Sequence, residues 1–141
     1  MTMGPFRFSY PIRVRYSEID GQQVVFNAHY LTYLDVAVVE YFRKVIGPDF
    51  LKLPEGYFDI ALVRVSIDFK QPARLDDVID VHCRITRLGN SSMNFEYMIT
   101  RDNEVLVEAE SVQVNFNPTT GKSQPIPEEI RRKIKAFENL P

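Results

Sequence analysis

One long apolar helix set among strands is the feature that most narrows what this chain can become. From Ala28 to Ile46 the residues Leu31, Leu34, Val38, Phe42 and Val45 recur at spacings of three and four, the period that lines one helix face. Val39, Tyr41 and Ile46 widen the apolar arc. The spacing therefore predicts a helix of about five turns that must be covered on most sides. Asn27 is placed to cap its start, and Gly47-Pro48 stops it. Around this helix the period drops to two. Phe6 to Arg15 alternates apolar and polar residues, and Pro11 points to an edge position. After a loop containing Pro54-Glu55-Gly56, the segments Phe58 to Gln71, Val78 to Arg87, Met93 to Arg101 and Val105 to Asn117 read as four antiparallel strands. Asp102-Asn103-Glu104 is a tight reversal, and Pro127 to Phe137 reads as a short terminal helix with Pro127 in its first turn.

Strands grouped after a single helix mean an α+β fold rather than a doubly wound sheet. A curved antiparallel sheet around the helix, the hotdog arrangement, fits this order; ferredoxin-like and cystatin-like folds fit it nearly as well. The 141 residues make one domain, 1–141, with no repeats or linker. A net charge of −2 gives no general attraction to nucleic acid or anionic membrane. No apolar run approaches the roughly 20 residues of a membrane span, and the N-terminus lacks a signal-peptide core. The single cysteine, Cys83, makes no internal disulfide. A cytoplasmic location is the expectation.

The chemistry is concentrated just before the helix. Glu18 and Asp20 end the first strand, a polar loop with Gly21 follows, and the helix begins near Asn27. This puts Asp20 within a few residues of the unpaired N–H groups of a helix N-terminus. An acid beside fixed donors suits acyl hydrolysis, where one part drives attack and the other holds an oxyanion. The competing reading is that Glu18 and Asp20 only cap and solvate the helix start. Elsewhere the signals are weaker. His82 and Cys83 are strand neighbours and point to opposite faces, so Cys83 reads as core. No His/Cys/Asp grouping has metal-ligand spacing, and no phosphate-binding glycine motif occurs. A carboxylate such as Asp35 on this helix could serve as a base inside the wrapped core, but Asp35 and Glu40 read first as solvated or Arg-paired acids. Arg64, Asp68 and Lys70 share one strand face as a charged surface. The turn Arg87-Leu88-Gly89-Asn90-Ser91-Ser92 offers a cation, a glycine and hydroxyls that suit a phosphate, or only a hairpin.

The pattern Asp20-x-x-x-Val24-Val25-Phe26-Asn27-Ala28-His29-Tyr30-x-x-Tyr33-Leu34-Asp35 resembles the active-site segment of the 4-hydroxybenzoyl-CoA thioesterase family, hotdog acyl-CoA thioesterases. The likeness continues through Phe69 to Asp77, through Arg87 to Ser92, and through Asn117-Pro118-x-Thr120-Gly121-Lys122 with Pro125-Ile126-Pro127. It implies hydrolysis of an acyl-CoA thioester, with Asp20 as nucleophile or general base. The helix start near Asn27 would polarise the carbonyl, and Val24, Val25, Phe26, Tyr30 and Tyr33 would shape the acyl pocket. Arg87, Gly89, Ser91 and Ser92 would hold coenzyme A, which enters as part of the substrate; no other cofactor and no metal are implied. The resemblance further implies a homodimer or homotetramer with sheets joined edge to edge and active sites at the interface. In this family a glycine usually stands two or three residues after the acid; here Gln23 fills that place and the glycine is at 21. The alternatives are a hotdog hydrolase for acyl-carrier-protein thioesters and a non-catalytic acyl-binding hotdog module.

Overall fold

Seven side chains of helix α1 (Asn27–Val45) are buried: Tyr30, Tyr33, Leu34, Ala37, Val38, Tyr41 and Phe42. They follow one another at alternating steps of three and one, so each has a buried neighbour three or four residues away and α1 presents one face to the core. The expectation of cover on most sides is corrected within a single chain. Leu31 and Val36 are 36% and 37% exposed, because among the described residues the sheet packs against one face of the helix. The structure, a computed structural model, describes residues 6–50 and 58–141. The loop expected at Pro54-Glu55-Gly56 lies outside them.

The sheet is antiparallel throughout, formed by β1 (Ser9–Arg13), β2 (Ile60–Phe69), β3 (Val78–Leu88), β4 (Ser92–Arg101) and β5 (Glu104–Asn117) in the order β1-β3-β4-β5-β2. A two-residue strand β6 (Lys122–Ser123) pairs antiparallel with the end of β5. Period-two alternation puts Ile79, Val81, Cys83 and Ile85 of β3 beside Met93, Phe95, Tyr97 and Ile99 of β4 on the core face, all buried. Against them pack Tyr41 and Phe42, whose rings lie 6.0 and 5.9 Å from that of Phe95. The Cys83 thiol lies 3.9 Å from the Ala37 carbonyl. One long helix across this sheet is the hotdog arrangement.

Local chemistry explains the boundaries. Pro11 occupies the edge strand β1, where its missing N–H costs no ladder bond. Asp102 and Asn103 both take positive φ, 50° and 68°, as a two-residue hairpin requires. Gly47 at φ 143° closes α1 where the Gly-Pro pair predicts a stop. Two caps differ from expectation. Phe26, not Asn27, is the N-cap of α1, and Pro127 caps helix α2 (Glu128–Glu138) rather than entering its first turn.

Helix α2 closes the far side through buried Ile130 and Ile134. At its end one oxygen of Glu138, Oε2, accepts both the Tyr41 hydroxyl at 2.6 Å and the Ile85 N–H at 3.0 Å. Glu138→Ala leaves both buried donors unpaired and should cost roughly 2 kcal/mol. Urea unfolding measures it. An unchanged midpoint would mean that α2 is held by its two isoleucines alone.

Candidate active site

Asp20 is carried on a small hairpin that the backbone closes upon itself. Ile19 and Val25 pair as an isolated antiparallel bridge, and Val24 bridges Arg74. The Asp20 N–H donates to the Val24 carbonyl and the Gln23 N–H to the Asp20 carbonyl, both at 2.9 Å. The Asp20 carboxylate accepts the Gln22 N–H at 2.8 Å through Oδ1. Its other oxygen has no partner among the described residues. The hairpin is docked onto the loop after β2: Val25 N–H donates to the Ala73 carbonyl at 2.9 Å, and the buried Tyr30 hydroxyl accepts the Ala73 N–H at 3.1 Å.

The turn resolves the displaced glycine. Gln23, at the family's glycine place, takes φ 66°, while Gly21 has no positive φ and open space where a Cβ would stand. The left-handed geometry therefore falls at 23 rather than at the glycine, and an L side chain bears the strain there.

The hairpin ends where α1 begins. Phe26 N–H donates to the Glu18 carbonyl at 2.9 Å, and His29 N–H turns back to the Phe26 carbonyl at 2.9 Å. No side chain caps the helix. The N–H groups of Asn27 and Ala28 consequently have no acceptor among the described residues, and the positive end of the helix dipole is left open beside the hairpin. Asn27 is exposed and stands at the first helical residue.

A cavity of about 190 Å³ opens at this corner, lined by Val24, Val25, Asn27, Tyr30, Phe69, Lys70, Gln71 and Pro72. Of the five residues expected to shape an acyl pocket, Val24, Val25 and Tyr30 line it. Phe26 and Tyr33 do not. Phe26 is 50% exposed on the outside, while Tyr33 is 1% exposed in the core. A second cavity of about 330 Å³ lies along the same flank of α1, lined by Asp35, Val38, Val39, Phe50, Asp59, Ile60, Leu62 and Gln113. Partial burial against it pushes the Asp35 carboxyl upward. No arginine pairs with Asp35 among the described residues.

Glu18 is the largest departure from the sequence reading. It lies in a short 3-10 turn (Tyr16–Glu18) and is 2% exposed, neither strand-ending nor solvated. Arg15 approaches its Oε2 through Nε at 2.9 Å and Nη2 at 2.6 Å, and the Arg15 N–H and the Tyr33 hydroxyl donate to Oε1 at 2.8 Å each. Burial opposes its ionisation, but these bonds outweigh burial and hold the carboxyl below its usual value. Its signal in the sequence is Arg15 three residues earlier, a pair that reads as ordinary surface charge until the fold buries it.

The coenzyme A candidates are elsewhere. Arg87, Gly89, Ser91 and Ser92 lie at the turn joining β3 to β4, where the Gly89 N–H donates to the Ser92 carbonyl at 2.8 Å. Arg131 of α2 braces the turn by donating to the Gly89 and Asn90 carbonyls at 2.8 and 3.1 Å. The Asp20 hairpin touches the loop that leads into β3, so the length of β3, roughly 30 Å at about 3.3 Å per residue, separates acid and turn within one chain. His82 faces away from the core and meets Thr100 at 3.1 Å, while burial pushes the Cys83 thiol upward, so this pair makes no nucleophile. Among the described residues no group of His, Cys, Asp and Glu is arranged to hold a metal.

Gly21→Ala should leave stability within about 0.5 kcal/mol, and Gln23→Gly should not lower it. Thermal unfolding of both variants tests this. A Gly21→Ala loss on the order of 1 kcal/mol or more would put the left-handed residue at 21.

Similar known proteins agree on one family. A thioesterase superfamily model matches residues 22–108, a span that begins just after Asp20. The acyl-CoA thioesterase YbgC of Haemophilus influenzae is 30% identical over 135 residues, covering 94% of this chain and 96% of that protein. The acyl-CoA thioester hydrolase YbgC of Escherichia coli O157:H7 is 28% identical over 131 residues, covering 91% and 96%. Among solved structures, a thioesterase from Thermus thermophilus complexed with coenzyme A and Zn superposes with a TM-score of 0.83 at 32% identity, over 99% of each chain. With the sheet order, the uncapped helix and the acid hairpin in place, this chain belongs to the thioesterase superfamily.

Proposed function

We propose that this protein hydrolyses acyl-CoA thioesters at the corner formed by the Asp20 hairpin and the start of α1. The observation that carries the reading is the pairing of a half-free carboxylate with an uncapped helix terminus. The thioester carbonyl oxygen lies against the Asn27 and Ala28 N–H groups, which are fixed before the reaction and stabilise the charge that develops on attack. Asp20 supplies the attack, either by deprotonating water or by adding to the carbonyl carbon to give an anhydride that water opens. In both routes the C–S bond breaks, the coenzyme A sulfur takes a proton, and water supplies the oxygen and hydrogen that complete the free acid. The step uses this chain's own acid and backbone donors, and coenzyme A enters only as part of the substrate. The acyl group occupies the cavity lined by Val24, Val25 and Tyr30.

The sheet edge supports a shared site. Among the described residues β2 pairs only with β5, leaving a ten-residue strand with one free edge. Leu62, Val63 and Phe69 along it are 44%, 62% and 50% exposed, an edge that calls for a partner. We infer a homodimer through antiparallel pairing of β2 with its copy. The Asp20 hairpin is at the Phe69 end of the sheet, and the Gly89–Ser92 turn is at the Ile60 end, where the Asn115 N–H donates to the Ser91 carbonyl at 2.8 Å. Antiparallel pairing sets one chain's Phe69 end beside the partner's Ile60 end. The acid of one protomer then faces the coenzyme A turn of the other, which reconciles their separation within one chain.

Asp20→Asn keeps the shape of the hairpin and removes the base or nucleophile, so kcat for acyl-CoA should fall on the order of 100-fold or more with the fold intact. Thiol release from a panel of acyl-CoA substrates reads this directly; near-normal turnover in the folded variant rejects the role. Arg87→Ala removes a contact made equally in ground and transition states. It should raise KM for acyl-CoA, leave kcat nearly unchanged, and spare a short pantetheine thioester that lacks the nucleotide. Equal KM effects on the two thioesters would show that the turn does not read the nucleotide.

A further inference from the structure

Glu18 carries no chemistry in the reaction just proposed, yet it is the most heavily bonded carboxylate near the site. Its side chain is 3% exposed, although its partner Arg15 is 69% exposed. Three sets of bonds converge on this residue from separate parts of the chain. Arg15, preceding the turn, bonds both carboxylate oxygens. Tyr33, on the second turn of α1, donates its hydroxyl to Oε1 at 2.8 Å. The Glu18 carbonyl accepts the Phe26 N–H at 2.9 Å, at the N-cap of the same helix. Between the carbonyl and the helix lies the hairpin bearing Asp20, closed by the Ile19–Val25 bridge.

We propose that Glu18 is a positioning residue: its buried carboxylate, held by Arg15 and the Tyr33 hydroxyl, locks the Asp20 hairpin and the N-terminus of α1 into one rigid unit. The lock has a structural logic. Without it the hairpin is tied to the start of α1 by the Phe26 N–H bond to the Glu18 carbonyl, and otherwise only indirectly, because Val25 and Tyr30 both bond the backbone of Ala73. The Tyr33 bond adds an anchor one helical turn beyond Tyr30. It fixes the angle between the acid and the helix end, and attack depends on that angle. An ionised Glu18 accepts all four bonds at once; a neutral side chain there replaces one acceptor position with a donor.

The inference rests on the thioesterase reading, and three variants keep the two separable. Asp20→Asn and wild-type activity test the reading itself. Glu18→Gln removes the charge of the lock and turns one acceptor into a donor at nearly the same size, and Tyr33→Phe removes only its helix-side bond. Both should lower kcat by about 10- to 100-fold, while the Kd for a non-hydrolysable thioether analogue of acyl-CoA stays within about twofold. The double variant should be no slower than Glu18→Gln alone, because the two residues share one contact. Glu138→Ala, which loses buried bonds away from the site, should leave kcat unchanged and so separates positioning from general destabilisation. Where Glu18→Gln fails to fold, Tyr33→Phe decides. Overturning results are a kcat within twofold of wild type in the folded variants, a parallel fall in Glu138→Ala, or a loss confined to Kd. An inactive wild type would instead reject the thioesterase reading, whatever these variants do.

Discussion

The hydrogen bond from the Phe26 N–H to the Glu18 carbonyl, 2.9 Å long, decides where the site forms. It ends the hairpin and starts the helix in one contact. By taking the N-cap donor, it makes Phe26 the cap and leaves Asn27 and Ala28 as the first helical residues with free N–H groups. A side-chain cap at this point would have satisfied one of those donors. Phenylalanine has no acceptor to offer, so the helix end keeps its positive character for a ligand. The same contact places Asp20 a few residues upstream on a hairpin that cannot drift, because Val25 and Tyr30 both bind Ala73.

The helix itself was legible from its period, and so was its role as the centre of a mostly antiparallel domain. The alternation from Ile79 to Ile85 and from Met93 to Ile99 marked the core face without any tertiary information, since a half-buried strand must alternate. Which side of α1 the core would occupy was less visible. Leu31 belongs to the apolar pattern but is exposed, whereas Tyr30 and Tyr33, with polar tips, are buried. Their hydroxyls are satisfied by Ala73 and Glu18, partners that only the fold brings near. Asn27 fits a capping pattern by residue type, but the Glu18–Phe26 bond shifts the start of the helix by one position. Around the candidate site, the closeness of Asp20 to the helix start followed from local spacing, and Val24, Val25 and Tyr30 at the cavity from the family resemblance. Glu18, the Phe69–Pro72 wall and the distance between the Arg87 turn and Asp20 did not, because each depends on how distant segments register across the sheet.

Two of the exposed apolar side chains of β2 sit at the cavities: Phe69 lines the first and Leu62 the second, and they are 50% and 44% exposed in one chain. From Asn27 to Asp35 is about 12 Å along the helix at roughly 1.5 Å per residue, so the second cavity lies within reach of an acyl group whose carbonyl is at the helix start. A partner on the β2 edge would cover it and bring its own turn toward the acid. On this account, catalysis and assembly draw on the same surface. The polar outer face of the sheet, with Arg84 paired to Glu96 and Lys70 to Glu108 at 2.6 and 3.2 Å, supplies a solvated back.

The claim that the open helix start receives the thioester oxygen can be observed at the atoms involved. Backbone amide resonances are followed by NMR as the protein is titrated with an acyl-CoA analogue whose sulfur is replaced by methylene, which keeps the carbonyl and resists hydrolysis, and separately with coenzyme A alone. The account predicts that the Asn27 and Ala28 amide protons shift downfield with the analogue and stay in place with coenzyme A, which has no acyl carbonyl to offer there. Saturating binding of the analogue with both resonances unmoved would contradict it.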